Sequence, residues 1–181
     1  MHRARAARAA AHGESTQCLD ELETAWALFE QVGDQRNACA VRVESGAAYA
    51  DIGEIERAVE LLREVVAAAD RLGLAEIAAI ARRELARVLA WRGEGAEAER
   101  LARQAVASLG TRGDSRERAI AASYLAEILR LLGRWAEAAA EAAAAASALI
   151  MAPAARAFAL AVLARSRLRQ GEAKEASVVA H

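Results

Sequence analysis

Few side chains in this sequence belong to the types that commonly act as nucleophiles, general bases or metal ligands. The three histidines, His2, His12 and His181, lie near the chain ends, where a base or ligand is hard to preorganise. The two cysteines, Cys18 and Cys39, form neither a CxxC motif nor a Cys/His cluster. The sequence also lacks a His-Glu-x-x-His helix, a glycine-rich phosphate loop and a nucleophile elbow. We therefore predict no enzyme activity, no cofactor and no metal site.

Composition predicts an all-α chain. Hydrophobic residues make up 55% of the 181 residues and aromatic residues only 4%. The excess is alanine, which costs least in a helix, whereas a sheet would be richer in β-branched and aromatic residues. Pro153 is the only proline, and long stretches without proline permit long helices. The two cysteines are expected to be small buried residues, which fits a reducing cytoplasm, with a disulfide or a reactive thiol as the alternative.

Charge and hydropathy argue against nucleic acid and membranes as partners. There are 24 basic and 25 acidic residues, a formal net charge of −1, so no overall field attracts polyanions. The basic start of the chain is interrupted by arginines where a signal peptide needs a continuous apolar run. Since no uncharged apolar run has the length of a membrane span, we expect a cytoplasmic protein.

Glycines recur at regular intervals along the whole chain. In one series the glycines are evenly spaced, except that the last interval is slightly shorter. The members of a second series lie midway between those of the first, and the last of them is a proline. The first series is Gly13, Gly53, Gly93, Gly133 and Gly171, and the second is Gly33, Gly73, Gly113 and Pro153. We call the interval from Gly13 to Gly53 the repeat length. Breakers at this spacing leave helices of roughly 16 to 18 residues joined by tight turns. The Arg-Gly-Asp tripeptide at 112–114 coincides with one of these expected turns.

The segments between the breakers have the period of amphipathic helices. Between Ile55 and Val66, apolar residues follow a spacing of three and four. Most turn glycines are followed by Glu or Asp, which we expect near the start of the next helix, where the helix dipole favours an acid. A single helix pair cannot bury its apolar face, so several pairs must stack.

Around each glycine of the first series the chain resembles a tetratricopeptide repeat (TPR). The pattern is a small residue, a large residue, the turn glycine and then an alanine. It is seen as Gly46, Tyr49, Gly53, Ala58; as Ala86, Leu89, Gly93, Ala98; as Ala126, Leu129, Gly133, Ala138; and as Ala164, Gly171, Ala176. Arg167 departs from it, standing where a large apolar residue belongs. The resemblance implies an α-α superhelix, a solenoid of antiparallel helix pairs with about four to five units.

We expect a single array over residues 1–181, with units at approximately 1–33, 34–73, 74–113, 114–153 and 154–181. The first and last units are incomplete, which suggests a piece of a longer protein. The repeat length exceeds the roughly 34 residues of the standard repeat. Longer repeats of this kind resemble the C-terminal sensory arrays of large bacterial signalling proteins, such as serine/threonine kinases and nucleotide-binding regulators. The resemblance therefore implies a protein- or peptide-binding scaffold.

In this family the first helix of each pair lines a concave groove. Carried onto this sequence, the groove positions that we select are Val43, Asp51, Arg83, Arg87, Trp91, Ser123, Glu127, Arg130, Arg165 and Arg169. Five arginines against two acids favour an acidic peptide, because guanidinium groups bind carboxylates in bidentate geometry. The competing interpretation is that the arginines are solvated surface, partly paired with Glu84, Glu127 or Glu172. Trp91 is the best single candidate for an anchor residue, with core packing as its alternative.

Two other functions remain open. The array could mainly assemble with copies of itself through its incomplete end units. It could also be a regulatory domain that senses a small ligand or peptide.

Overall fold

The structure is a computed structural model that describes residues 1–110 and 115–180 of the 181-residue chain. Within these residues it contains ten α-helices and no strand. In chain order they are α1 (His2–Ala11), α2 (Ser15–Gln31), α3 (Gln35–Asp51), α4 (Ile55–Arg71), α5 (Ala75–Arg92), α6 (Gly95–Gly110), α7 (Ser115–Leu131), α8 (Trp135–Ala148), α9 (Pro153–Arg169) and α10 (Ala173–Ala180). The all-α prediction is confirmed. Gly113, the tripeptide at 112–114 and His181 lie outside the described residues.

Most of the helix turns share one backbone geometry. The glycines of the described turns have φ between 67° and 92°, the left-handed region that other residues avoid. The N–H that follows the glycine donates to the carbonyl five residues earlier, as Glu54 does to Tyr49 at 2.9 Å. This is the Schellman ending of a helix, in which backbone groups alone satisfy the last carbonyls. The turn between α8 and α9 contains no glycine, and Pro153 instead begins α9.

The acids after the turn glycines do not all act alike. The Asp34 carboxylate caps α3 by accepting from the Asn37 N–H at 3.0 Å. Glu14 and Glu54 precede α2 and α4 without such a bond, so only the helix dipole favours them there. Arg134 stands in the corresponding place before α8.

Residues 1–88 form one compact unit, unit 1. Its helices pack in chain order, α1 on α2, α2 on α3 and α3 on α4, and the short turns make neighbours antiparallel. A buried cluster joins Ala6 and Ala9 of α1 to Leu22 and Ala25 of α2 and Val41 of α3. Alanines and a few larger apolar residues suffice here because small residues let the helix axes approach closely.

The residues from Leu89 onward form the second compact unit, unit 2. In it α6 packs on α7, α7 on both α8 and α9, and α9 on α10. The Ala-rich α8 is central, since Ala142 lies in one cluster with Ala126, Val162 and Leu163. In both units we call the odd-numbered helices first helices and the even-numbered ones second helices.

The repeat pattern that suggested the fold occupies the core. Ala58, Ala86, Ala98, Ala126 and Ala138 have no exposed surface. In the incomplete last repeat Ala164 is only half-buried, whereas Ala176 is buried. Among the described residues no helix is long and apolar enough to cross a bilayer.

Candidate functional site

All ten predicted groove residues lie on the first helices α3, α5, α7 and α9. Four of them belong to unit 1 and six to unit 2, so each group is described by itself. The unit 1 residues are Val43, Asp51, Arg83 and Arg87, and the unit 2 residues are Trp91, Ser123, Glu127, Arg130, Arg165 and Arg169.

In unit 1 the two arginines are held by acids of their own unit. The buried Glu84 carboxylate accepts from Arg83 Nη2 at 3.0 Å and from Arg87 Nε at 3.0 Å. Arg87 Nη1 also donates to Asp51 at 2.9 Å. Val43 is only 5% exposed. The pairing with Glu84 matches one part of the competing interpretation, but the Arg83 and Arg87 side chains are only 13% and 16% exposed and so are not solvated surface. The groove role of these residues and of the buried Val43 stays a prediction.

On α7 the predicted residues are also internally satisfied. Arg130 donates through Nε and Nη2 to the two carboxylate oxygens of Glu127, both at 2.7 Å. This bidentate bond is the main reason that the pKa of Arg130 is raised. Ser123 is 1% exposed and its hydroxyl donates to the Ile120 carbonyl at 2.7 Å. Ser123 is thus almost fully buried, and its role as a groove contact stays a prediction.

The first helix α9 is different, because it carries four arginines and no acid in its 17 residues. Arg165 and Arg169 are exposed, and in the part of the chain that the structure describes neither makes an ion pair. Arg169 lies over the Trp135 ring at 5.9 Å. Residues 165, 168 and 169 are three and four apart and so share one helix face, which adds Leu168, 61% exposed.

Two further exposed apolar residues of unit 2 stand at corresponding positions of the repeat. Trp91 is 51% exposed and Leu131 is 46% exposed, and both stand two residues before a turn glycine, one repeat length apart. Arg169 stands at the same place before Gly171. We call Trp91, Leu131, Arg165, Leu168 and Arg169 together the unit 2 surface. It combines apolar area with unneutralised positive charge.

Sequence reasoning missed Leu131 and Leu168. The signal was present for Leu131, because it stands at the repeat position that had already singled out Trp91. Leu168 is the neighbour of Arg169 on one helix face, and only its exposure distinguishes it from a core leucine.

The metal-binding and nucleophilic residue types are described for residues 1–110 and 115–180. No group of three or more His, Cys, Asp or Glu side chains there could hold a metal ion. Burial raises the pKa of both the Cys18 and the Cys39 thiol, which disfavours the reactive thiolate. Both cysteines are free and buried.

Helix pairs joined mostly by glycine turns of one geometry, with small residues at the close contacts, define a TPR-like helical repeat protein. The family model described as "Suppressor of spindle checkpoint defect 1 C-terminal domain" matches residues 6–178. The chain belongs to this family. A comparison with curated protein sequences gives no match.

Solved structures share the fold at low sequence identity. The TPR-like repeats of a putative kinesin light chain from Podosopora anserina match with a TM-score of 0.73 and 24% identity, over 98% of this chain and 89% of that one. BtubC (BKLC) from P. vanneervenii matches with a TM-score of 0.67 and 16% identity, over 96% of this chain and 82% of that one. MamA MSR-1 matches with a TM-score of 0.55 and 19% identity, over 99% and 90%. The TPR-like resemblance inferred from the sequence is confirmed, and TPR-like folds in general bind protein partners.

Proposed function

We propose that this protein is a non-catalytic scaffold that binds a peptide segment of a partner protein on the unit 2 surface. The segment carries an aromatic or aliphatic residue next to one or more acids. Apolar contact with Trp91, Leu131 and Leu168 contributes most of the binding free energy, since such side chains lose exposed area on docking. The arginines select for acids and speed the encounter.

The observation that carries this proposal is the charge of α9. Its arginines face no acid on their own helix, whereas Arg83, Arg87 and Arg130 already have carboxylate partners. An incoming carboxylate can therefore bind Arg165 or Arg169 without first displacing an internal acid. The acidic-peptide hypothesis is thus narrowed from five arginines to two.

Three finer parts of the sequence interpretation stay predictions. One is that the chain is the recognition region of a larger bacterial signalling protein in the cytoplasm. The match to a family described as a C-terminal domain supports only the part of this prediction that concerns a larger protein. The others are that residues 1–181 form a single array of about four to five units, and that the end units associate with other copies of the chain.

Peptide selection tests the proposal. A random peptide library displayed on phage is selected on the whole chain, and the winning peptides are measured by calorimetry against variants. We expect Asp or Glu beside an apolar residue in the winners, and a loss of roughly tenfold or more in affinity for Arg165→Glu and for Arg169→Glu. Trp91→Ala should weaken the same peptides by a similar factor.

Arg156→Glu is the matched control. Arg156 is an exposed arginine of α9, nine positions before Arg165 and hence on the opposite side of the helix. The Arg156→Glu variant should leave the affinity for the selected peptides unchanged. Selected peptides without acids, or selected peptides that bind the Arg165→Glu and Arg156→Glu variants equally well, would overturn the proposal.

A further inference from the structure

A cleft recurs between neighbouring second helices at corresponding places in the two units. In unit 1 a cleft of about 230 Å³ is bordered by Trp26 of α2 and Val65 of α4, with Ala38 of α3 at its base. In unit 2 a cleft of about 470 Å³ is bordered by Val106 of α6 and residues of α7 and α8. Trp26 and Val106 stand two repeat lengths apart in the sequence. Ala38 and Arg118 are likewise two repeat lengths apart, so the two clefts share these two repeat positions.

In unit 1 the chain fills this place with its own aromatic ring. The Arg42 guanidinium carbon lies 4.6 Å from the centre of the Trp26 ring, a cation–π distance. Arg42 is in turn held by Glu23 at 3.5 Å and Glu64 at 3.9 Å. The cleft thus accepts a planar ring beside a guanidinium group.

In unit 2 three of these repeat positions carry small residues, whereas the place of Ala38 is taken by the larger Arg118. Trp26 is replaced by Val106, Arg42 by Ala122 and Glu64 by Ala144. The unit 2 cleft lacks the ring and its stacked arginine, and its volume of about 470 Å³ exceeds the 230 Å³ of the unit 1 cleft. Its volume falls within the range of roughly 300–1,000 Å³ that is typical of ligand sites.

The lining of the unit 2 cleft suits an apolar ring with an acid beside it. Val106, Ala107 and the buried Leu125 supply apolar walls, and Arg103, Arg118 and Glu141 supply charge. Arg103 Nη2 already donates to Glu99 at 2.8 Å. Arg118 is exposed and makes no ion pair within the described part of the chain, so it is available to a carboxylate.

We propose that the cleft between α6 and α8 binds an aromatic side chain of a partner polypeptide, with a carboxylate next to the ring paired to Arg118. This site is formed by Val106, Ala107, Arg118 and Leu125. It lies on the second helices and on the base between them, so it is separate from the unit 2 surface on the first helices. A partner could therefore occupy either site alone.

The test uses small probes of the same chemistry on the whole chain. N-acetyl-L-tryptophan, its uncharged amide and N-acetyl-L-leucine are titrated into labelled protein and followed by NMR. We expect saturable shifts at Val106, Ala107 and Leu125 with a dissociation constant on the order of millimolar. The order of affinity should be acetyltryptophan, then its amide, then acetylleucine, and Arg118→Gln should remove the difference between the first two.

Two variants close the cleft in different ways. Val106→Trp restores the ring seen in unit 1, and Ala107→Phe covers the cleft from an exposed position that should not disturb folding. Each should weaken acetyltryptophan roughly tenfold or more. Gln104→Phe places the same ring on an exposed α6 position outside the cleft and should have no effect. Absent cleft shifts, equal binding of acetylleucine, or equal effects of Ala107→Phe and Gln104→Phe would each overturn the proposal.

Discussion

Arginines that look alike in the sequence differ in what they can offer a partner. Arg83 and Arg87 share the buried Glu84, whereas Arg165 has no acid on its own helix. A charge that is already paired must give up that bond before it binds a ligand, and the exchange contributes little net free energy. The acids of a repeat therefore determine which of its arginines can act in recognition.

The first residue-scale prediction concerns Glu84. Glu84→Gln should lower the free energy of unfolding by roughly 1–3 kcal/mol, because it weakens charge-assisted bonds to two arginines at a buried position. Asp51→Asn is the matched control, since Asp51 bonds the same Arg87 but its side chain is 64% exposed. Its effect should stay within about 0.5 kcal/mol. Urea unfolding measures both, and equal losses would contradict the assigned role of burial.

A second prediction at this scale concerns pH. The hydrogen bonds from the Asn37 side chain and backbone N–H lower the pKa of Asp34 below its ordinary 3.8. The cap's contribution to stability is therefore fully present above about pH 4 and is lost as pH falls through the lowered pKa. Asn is also a good cap but does not titrate. The stability difference between wild type and Asp34→Asn should be constant from pH 7 to pH 5 and should change below pH 4; a change confined to higher pH would contradict it.

At the scale of the helix, close approach depends on whether the facing side chain can move. A Cβ built on Gly46 of α3 would lie 2.6 Å from Leu62 Cγ, and one on Gly95 of α6 would lie 2.3 Å from Leu132 Cδ2. Leu62 has no exposed surface, whereas Leu132 is 40% exposed. The two overlaps look similar in distance but differ in how they can be relieved.

Alanine substitutions at these two glycines follow from that difference. Gly46→Ala should destabilise by about 1 kcal/mol net, because overpacking of roughly 1–3 kcal/mol exceeds the gain in helix propensity of about 1 kcal/mol. Gly95→Ala should be neutral or stabilising, since Leu132 can turn toward solvent. Thermal unfolding of the two variants tests this prediction. A larger loss of stability for Gly95→Ala than for Gly46→Ala would contradict it.

At the scale of the whole molecule, stability should vary along each unit because contacts are mainly between neighbours. In unit 2, α7 packs against α6, α8 and α9, whereas the eight-residue α10 packs against α9. Helices with fewer neighbours open more readily. We expect amide hydrogens of α10 to exchange at least about tenfold faster than those of α7, as measured by hydrogen exchange with mass spectrometry. Equal protection of α10 and α7 would contradict this nearest-neighbour picture.

The sequence predicts the helices well because their signals are local and repeated. The sequence alone reveals both the glycines that must adopt positive φ and the three-and-four spacing of apolar residues. The turns at Gly53 and Gly133 therefore lie where expected. The candidate site is harder to predict from the sequence. Whether Val43 is buried, and whether Arg87 faces Asp51 or solvent, depends on neighbours in the adjacent repeat, which a single sequence does not reveal. The cleft beside Val106 likewise depends on how α6, α7 and α8 pack, which a single sequence does not reveal.

The turns have a consequence for the history of the gene. Their hydrogen bonds are made by backbone groups, and in most of them a Cβ on the glycine would touch nothing, so the junctions depend little on the flanking side chains. A duplication or deletion of one repeat length of coding sequence, with its ends in such turns, joins compatible ends again. Homologous genes should therefore differ by whole repeats more readily than by insertions inside a helix.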